Sequence, residues 1–377
     1  MNEYQRAVDI LKSYVNSECV ELFSSDIIKK DLDEFKCVFS PEKLQALDDT
    51  QLLSTIFFSS GDNTNTLCYW LEMKGNIREN FGSIAGGSSY KFGLFQNKTS
   101  GVWLSGYSQN PVELTVDEAL TIGRTIRDAL VIGATIIRDA KLETIEDYEH
   151  LDDILKEKVG EKYYELGWIH KYFSMIYSDK LSGFHSAEWQ KHVLRALKIK
   201  PSEKTYVRSG QISMIQNLSG WYYKQFLDVF KSRFGEVRQF IRLGCSDSTK
   251  SYADEWKKKG VVGFGYPNTG NLTELAIKTR IDRATIRREL EKNYTFSDKK
   301  TASRIAGELF RFYNSDSNTV FVIMNGETLI ACADEIGTYT YNLESDMPHQ
   351  KPANWKLVFD VGEKLPEKPE GLRTICY

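Results

Sequence analysis

The chain contains 377 residues and carries a formal net charge of −3 at pH 7. Its 41% hydrophobic and 27% charged residues are typical of a soluble globular protein. The absence of a run of about 18 apolar residues excludes a membrane span. The length of the chain is sufficient for two domains. Its six cysteines form no CxxC motif and no cluster with histidine, which argues against a zinc site and against a disulfide framework.

The N-terminal segment predicts a surface helix, because apolar residues recur at helical spacing over 4–15. Glu3 and Asp9 stand where a secretory signal requires a basic and then an apolar run, so we expect a cytoplasmic protein. Further along, Ser40 and Pro41 have the pattern of an N-cap followed by a first helical residue.

The next region predicts two strands, TLCYWLEM at 66–73 and YKFGLF at 90–95, around a glycine-rich connection. That connection, GSIAGGSS from Gly82, has the glycines of a Walker A loop but places Ser88 where a lysine must reach the phosphates, which excludes a P-loop motor. Beyond it, Thr115 opens a capping-box pattern ahead of a long helical period. We expect this stretch to be the core helix of the first domain.

Within the same region, Asp62, Glu72 and Lys74 have the D…ExK arrangement with which many nucleases hold Mg²⁺ and orient water. On a strand, Glu72 and Lys74 would face the same side. The pattern is short and arises by chance in charged proteins. A magnesium-dependent endonuclease is therefore one alternative for this chain, and magnesium is expected only under that alternative.

Residues 147–235 are mostly helical in pattern and rich in aromatic residues, and one interpretation is a helical subdomain over this stretch. The histidines in it lack an acid or cysteine that would complete a metal set, so we assign them no chemistry. Gly235 is placed to end the last helix. We therefore predict an N-terminal mixed α/β domain with long helices over 1–240 and a second domain over 241–377.

The second domain separates its charges along the chain. Residues 250–311 contain fourteen Lys and Arg against eight Asp and Glu, whereas residues 312–377 contain five against ten. A basic stretch of this kind either contacts phosphates or forms a solvated helical face. Gly263, Gly265 and Gly270 lie within it but depart from the GxGxxG spacing of a dinucleotide-binding loop.

Short alternating runs predict several strands in this domain, namely VVGFGY, TVFVIM, ETLIACADEI, TYTYN and WKLVFDV. Asn325 and Gly326 between the second and third runs predict a hairpin with a type I′ turn. Helical patterns occupy 274–313. Together these elements predict an α+β protein whose second domain is a small mixed β-barrel wrapped by helices.

Two stretches resemble one family. LCYWLEMKGNIRENFGSIAGGSSYKFGLF followed by VDEALTIGRTIRDALV resembles the region ahead of the GTPase motor in McrB-like proteins, the DNA-recognition and motor subunits of modification-dependent restriction systems. WKKKGVVGFGYPNTGNL, IAGELFRFYN, TVFVIMNGETLIACADEIGTYTYN and PHQKPANWKLV together resemble the EVE-like domain, a PUA-superfamily barrel related to YTH modules. The family pattern has Trp at Tyr266, Asp at Asn271 and Gly-Asp near 316–318. These departures bear on which modified base is preferred.

The resemblance implies a DNA-recognition subunit of an anti-phage restriction system, which binds double-stranded DNA carrying a modified base. A GTPase motor and an McrC-type nuclease are then expected from elsewhere, since the sequence ends about where such a motor would begin, and neither a cofactor nor a membrane is expected. To inspect a modified base, a protein flips it from the stack into a pocket lined by aromatic rings.

The resemblance points to four aromatic residues as the pocket lining: Tyr266, Phe312, Tyr339 and Trp355. Among the remaining residues, Tyr341 offers a further ring and Asn271 an amide that can hydrogen-bond a base edge. The predicted phosphate-binding residues are Lys257, Lys258, Lys259, Arg280, Arg283, Arg287, Arg288 and Arg304. Besides the endonuclease, a protein-interaction module with a purely structural barrel stays open as an alternative, and the residues distinguish neither DNA from RNA nor one base modification from another.

Overall fold

The computed structural model describes residues 2–84, 89–107, 110–247, 249–276, 281–296, 298–359, 363–364 and 373–375. The architecture is α+β, with helices and small sheets in both of the units into which the chain divides, Met1–Gly235 and Glu236–Tyr377. The sequence-based boundary had been placed after residue 240. In the described ranges, no helix has the length and apolar character needed to cross a membrane.

The first unit is built mainly of helices. Their bounds are α1 Glu3–Glu18, α2 Ser25–Phe39, α3 Pro41–Gln45, α4 Asp49–Ile56, α5 Leu67–Glu72, α6 Gly75–Phe81, α7 Val116–Asp139, α8 Ile145–Val159, α9 Glu161–Tyr164, α10 Gly167–Ile176, α11 Ala187–Ala196, α12 Thr205–Ser219 and α13 Tyr223–Phe234. A 3-10 turn, Ser89–Phe92, leads into an antiparallel sheet of order β1-β2-β3, with β1 Leu94–Gln96, β2 Trp103–Tyr107 and β3 Asn110–Leu114.

The predicted helix ends are confirmed where capping residues mark them. Ser40 caps α3 and Pro41 is its first residue. Thr115 and Glu118 exchange both hydrogen bonds of a capping box at the start of α7. Gly235 ends α13 with a φ of 77°, in the left-handed region that glycine adopts without cost.

The predicted strand over 66–73 is wrong, because this segment forms the helix α5. Thr66 caps it, its Oγ1 accepting from the Tyr69 N–H at 3.1 Å. The buried positions 67, 68, 70 and 71 have helical spacing. In so short an apolar run, composition alone does not separate the helical period from the strand period, and the cap decides the outcome.

The core of the first unit forms around α7, which buries a stripe along its whole length. Gly133 in α7 permits the close approach of α10: a Cβ at this position would lie 2.3 Å from Cζ of Phe173. Phe173 is itself fully buried. The long helix therefore holds its neighbours through a contact that tolerates only glycine.

The second unit combines helices with two sheets. Its helices are α14 Ala253–Lys259, α15 Leu272–Leu275, α16 Arg283–Asn293 and α17 Lys299–Asn314, and Pro267–Thr269 is a 3-10 turn. Its strands are β4 Gln239–Gly244, β5 Val261–Phe264, β6 Thr319–Asn325, β7 Thr328–Asp334, β8 Thr340–Tyr341, β9 His349–Pro352, β10 Asn354–Lys356, β11 Glu363–Lys364 and β12 Arg373–Ile375.

One sheet has the order β10-β7-β6-β4-β12, with β11 also paired to β7, and the other has the order β5-β9-β8. In the larger sheet, β4 runs parallel to both β6 and β12. Between the strands that the structure describes, these pairings form two small sheets and do not close a barrel. The coarse class, α+β, thus agrees with the sequence prediction.

The β6–β7 hairpin is present, but its turn differs from the prediction. Asn325 pairs with Thr328, so Gly326 and Glu327 are the two central residues. Of these two, Gly326 has a positive φ of 58° and Glu327 does not. A positive φ at the first central position alone is the pattern of a type II′ turn, whereas type I′ requires it at both.

The core of the second unit lies between its sheets and helices, and Trp256 is fully buried in it. Gly263 on β5 accommodates this ring: a Cβ there would lie 2.8 Å from the Trp256 Nε1. The first glycine of the GFG stretch is therefore required by packing within the core and does not face a ligand.

Candidate nucleic-acid interface

The turn after β5 places Tyr266 at the mouth of a hollow in the second unit. Tyr266 has a φ of 66°, a left-handed conformation that few non-glycine residues adopt. Three contacts hold this turn in place. The Tyr266 carbonyl oxygen accepts from the Thr269 N–H at 3.0 Å and lies 3.2 Å from Nε2 of His349. The Tyr341 hydroxyl donates to the next carbonyl, that of Pro267, at 2.5 Å. The surrounding fold thus fixes a backbone geometry that the residue alone disfavours.

His349 supports this turn from the core. It is fully buried, and burial lowers its pKa to about 4, so the ring is neutral at pH 7. Because a carbonyl oxygen only accepts, Nε2 is the nitrogen that donates to Tyr266. Nδ1 then accepts from the hydroxyl of Tyr339, 2.7 Å away. Tyr339 also accepts from the Leu272 N–H at 3.3 Å, which ties the turn to α15.

The hollow beside Tyr266 has a volume of about 660 Å³. Tyr294 meets the Tyr266 ring edge-on, with centroids 5.4 Å apart, and its hydroxyl accepts from the Asn268 N–H at 2.7 Å. The described residues that line it are Asp247, Thr249, Lys250, Tyr252, Gly265, Tyr266, Pro267, Tyr294, Asp346 and Met347. Tyr266 and Tyr294 provide this hollow with flat apolar faces and polar edges. Tyr252 is 4% exposed, with the Trp256 ring stacked 6.1 Å away, and offers little of its face.

Two aspartates give this hollow an acidic component that the sequence analysis did not foresee. Asp247 accepts from Thr249 Oγ1 at 2.6 Å and from the Tyr252 hydroxyl at 2.5 Å. These hydrogen bonds hold the pKa of Asp247 far below its ordinary value, so the carboxylate is ionised at neutral pH. Asp346 pairs with Lys250 at 2.7 Å. The hollow is therefore an acceptor-rich, aromatic cavity.

The other predicted pocket residues lie behind or beside this hollow. Phe312 was predicted to line the pocket, but it is fully buried and packs between Phe264 and Phe321, with centroids 5.8 and 5.6 Å away, so it presents no face to a ligand. Tyr339 is 8% exposed, and its hydroxyl donates to His349, which in turn holds the Tyr266 carbonyl.

Trp355 is half-buried on β10 and donates its Nε1–H to the Val261 carbonyl at 2.9 Å. Asn271 is the N-cap of α15, where its Oδ1 accepts from the Thr273 N–H at 3.0 Å. The structure thus brings Tyr266 to the cavity, Tyr341 to the turn that carries it, and leaves Trp355 and Asn271 with structural partners.

A second cavity, of about 470 Å³, lies between α16 and α17. Its lining consists of Arg283, Lys300, Ser303, Arg304, Gly307 and Arg311. Four of these six side chains are cationic. Gly307 allows the Arg283 side chain to lie across α17, since a Cβ there would be 3.0 Å from the Arg283 Cζ. We call this cavity the cationic pocket.

Sequence reasoning selected Arg283 and Arg304 but missed Lys300 and Arg311. A signal was available, because positions 300, 304, 307 and 311 follow i, i+4, i+7 and i+11 and so share one face of a helix. What the sequence lacked was the partner helix. Arg283 joins this face only because α16 packs on α17, where Nη2 of Arg283 donates to the Ser303 carbonyl at 2.6 Å.

The remaining predicted phosphate contacts lie outside this pocket. Lys257, Lys258 and Lys259 form the exposed last turn of α14, where Lys259 pairs with Glu255 at 2.7 Å. On α16, Arg287 lies 3.6 Å from Glu291, and Arg288 donates to Thr285 Oγ1 at 3.0 Å. Arg280 lies outside the described residues.

The hollow and the cationic pocket are neighbours. The positive charge of Arg304 opposes the rise that burial causes in the Tyr266 pKa, which requires the two side chains to be close. In addition, α16 packs against the turn Pro267–Thr269 and ends at Tyr294, a residue of the hollow. The helix α16 therefore contributes to both cavities.

The structure gives Asp62, Glu72 and Lys74 separate partners. Glu72 ends α5 and pairs with Lys91 at 2.7 Å, whereas Lys74 precedes α6 and pairs with Glu34 at 2.7 Å. Asp62 accepts from the N–H two residues on, at 2.9 Å. The shared strand face assumed for this set is wrong because the segment is helical. Across the ranges described, no group of three or more His, Cys, Asp or Glu side chains is placed to hold a metal.

Comparisons with known proteins give no neighbour. No family model matches the chain, and neither a curated protein nor a solved structure is significantly similar to it.

Proposed function

We propose that the second unit binds nucleic acid, with phosphates in the cationic pocket and an unstacked base against Tyr266 in the adjacent hollow. The observation that carries this proposal is the placement of four cationic side chains beside a cavity lined by Tyr266 and Tyr294, with α16 contributing to both. Cationic grooves that run beside aromatic faces are typical of proteins that hold unpaired bases.

The phosphate half of the proposal is electrostatic. Each phosphate neutralised by Lys or Arg releases condensed counterions, so binding weakens steeply with salt. Within the cationic pocket, Lys300 and Arg304 lie in the first two turns of α17 and project from the same face. This term supplies affinity without reading sequence.

The base half depends on the hollow. Stacking on an aromatic ring contributes about 1–3 kcal/mol per base, which offsets the few kcal/mol needed to unstack one. A volume of about 660 Å³ exceeds what one base requires. The carboxylate oxygens of Asp247 and Asp346 would accept hydrogen bonds from amino groups on a base edge.

We extend the proposal, on the strength of the sequence resemblance, to a DNA-recognition subunit of a modification-dependent restriction system. In this view the second unit is an EVE-like, PUA-like fold that reads a modified base in double-stranded DNA. The GTPase motor and the McrC-type nuclease are then supplied by other proteins. The order of motifs along 256–358 supports this assignment.

A titration of the full chain with labelled duplexes tests the proposal. We expect measurable binding at low salt, tighter for a duplex with 5-methylcytosine or 5-hydroxymethylcytosine than for the unmodified one. Tyr266→Asn removes the ring while tolerating the left-handed backbone, and should lower affinity about tenfold or more through lost stacking. The matched control is Phe240→Asn, an aromatic residue that is 53% exposed and lies outside the hollow.

Two results would count against the proposal. Absence of binding to any nucleic acid at low salt would refute both phosphate binding and base recognition, and would favour a protein-interaction module. Equal affinity for modified and unmodified duplexes, with Tyr266→Asn unchanged, would refute base recognition while leaving phosphate binding in place.

A further inference from the structure

We infer that the cationic pocket binds a phosphomonoester, the phosphate group at the end of a nucleic acid strand, in preference to the phosphodiesters within a strand. This inference rests on the proposed function and names its ligand more closely. A phosphodiester carries one negative charge, whereas a phosphomonoester approaches two at neutral pH, because its second pKa is about 6. The charge collected in the pocket decides between them.

Among the described residues, four cations and no carboxylate line this pocket. Arg304 is partly balanced, since it donates from Nη1 to Oε1 of Glu308 at 2.8 Å, and Glu308 is only 4% exposed. Arg311 also has a partner. The charge open to a ligand is therefore that of Arg283 and Lys300, which form no ion pair with the described residues. The N-cap carboxylates of the two helices, Asp282 and Asp298, are turned onto backbone N–H groups of their own first turns. The pocket therefore retains a positive charge larger than one phosphodiester would balance.

Arg283 has the geometry to grip a terminal phosphate. Its Nε and Nη2 donate to the Ser303 carbonyl at 3.2 and 2.6 Å. This anchors the plane of the guanidinium and leaves three of its five N–H donors for a ligand. A phosphomonoester offers three terminal oxygens where a diester offers two, so more of these donors find an acceptor.

The pocket lies between two helices, and Gly307 leaves the room in which the Arg283 guanidinium lies. A terminal phosphate brings one flanking sugar to this site, whereas an internal phosphate brings two. The charge and the donors of the pocket thus favour a phosphomonoester, and its source is either a strand end or a free nucleotide.

Fluorescence anisotropy on the full chain, at fixed ionic strength, tests this inference. The probes are a short duplex with 5′-phosphates, the same duplex with 5′-hydroxyls, and a duplex closed by hairpins at both ends. We expect the phosphorylated duplex to bind about tenfold more tightly than the hydroxyl form, through the added charge on the ligand. The advantage should shrink at about pH 5, where the monoester carries a single charge.

Arg283→Gln should abolish the advantage, and Lys300→Gln, at an exposed position, should reduce it without disturbing the Arg283 anchor. Lys292→Gln is the charge-matched control, because this α16 side chain is 73% exposed and lies outside the pocket. Competition by adenosine 5′-monophosphate as strong as that of the phosphorylated duplex would support the inference with a free nucleotide as the source.

Equal binding of the phosphorylated and hydroxyl duplexes would overturn the inference. Binding of the end-closed duplex would still support the proposed function in that case. If no duplex binds, the proposed function fails as well, so the two failures are distinguishable.

Discussion

Lys171 is 1% exposed in the first unit, and its Nζ donates to the carbonyls of Leu71, at 2.6 Å, and Gly82. Burial lowers the pKa of Lys171 from its ordinary 10.5 to about 7, with Glu72 opposing this shift and Lys91 adding to it. A lowered pKa means that the fold holds the proton less tightly than the unfolded chain does. Between about pH 7 and 10.5 the unfolded chain therefore binds more protons, and stability rises with pH.

Lys171→Met removes this titration. We expect the free energy of unfolding of the unaltered protein to rise, relative to the variant, by about 2 kcal/mol between pH 7 and 9. Urea unfolding followed by tryptophan fluorescence at several pH values measures the difference. The exposed Lys162→Met serves as the control and should show no such slope. A flat difference for Lys171→Met would show that the buried ammonium keeps its ordinary pKa.

Gly263 and Gly265 lie two residues apart yet face different surroundings. A Cβ on Gly263 would meet the fully buried Trp256 ring at 2.8 Å, whereas one on Gly265 would meet Met347 Sδ at 3.3 Å. The flexible Met347 side chain can shift to make room for a methyl group. The buried Trp256 indole cannot shift in this way.

We therefore expect Gly263→Ala to destabilise the protein by about 1–3 kcal/mol, the usual cost of overpacking a core. Gly265→Ala, the matched control, should cost less than about 1 kcal/mol. Chemical denaturation of both variants is the measurement. Similar losses in the two variants would mean that the β5 backbone, and not the Trp256 contact, limits substitution here.

At the scale of the element, α17 has two faces of different chemistry. Ile305, Leu309 and Phe312 face the core, while Lys300, Arg304 and Arg311 face the cationic pocket. This division explains why Phe312 is not part of the hollow. A helix that offers its aromatic residue to the core presents the opposite face to a ligand.

If phosphates bind in the cationic pocket, removing a cation of α17 must weaken the salt dependence of nucleic-acid binding. We expect Arg304→Gln to reduce the slope of log K against log salt by about 1, the loss of one phosphate contact. Lys292→Gln should leave the slope unchanged. Affinities measured over a range of salt concentrations give both slopes. An unchanged slope for Arg304→Gln would place the phosphates elsewhere on the second unit.

At the scale of the whole molecule, each unit contains its own core. The buried cluster of the second unit spans residues 241–347 and includes no residue of the first unit. The strand β12, Arg373–Ile375, pairs with β4 at the start of this unit. The larger sheet therefore contains strands from both the first and the last residues of the second unit.

We therefore expect a fragment of residues 236–377 to fold alone and to bind nucleic acid. Circular dichroism should show a cooperative thermal transition, and anisotropy should give an affinity within about tenfold of the full chain. A fragment of residues 236–359, which lacks β11 and β12, should unfold at a lower temperature. A fragment 236–377 without a cooperative transition would show that the second core depends on the first unit.

Much of the secondary structure followed from the sequence, because caps and apolar periods act over a few residues. Ser40, Thr115 and Gly235 ended or began helices as predicted, and the β6–β7 hairpin lies where its turn residues stand. The strand predicted over 66–73 is wrong for the same local reason, since a short apolar run fits both periods and the Thr66 cap selects the helix.

The tertiary structure alone decided which side chains meet. Tyr266 reaches a cavity and Phe312 does not, although both are aromatic residues of one unit. Asp247 and Asp346 come together from sites about a hundred positions apart, and Arg283 joins a face of α17 only through helix packing. The amino-acid sequence by itself determined the α+β class, the principal helices and the basic stretch. The composition of both cavities depended on contacts between residues distant in the chain, which no local pattern encodes.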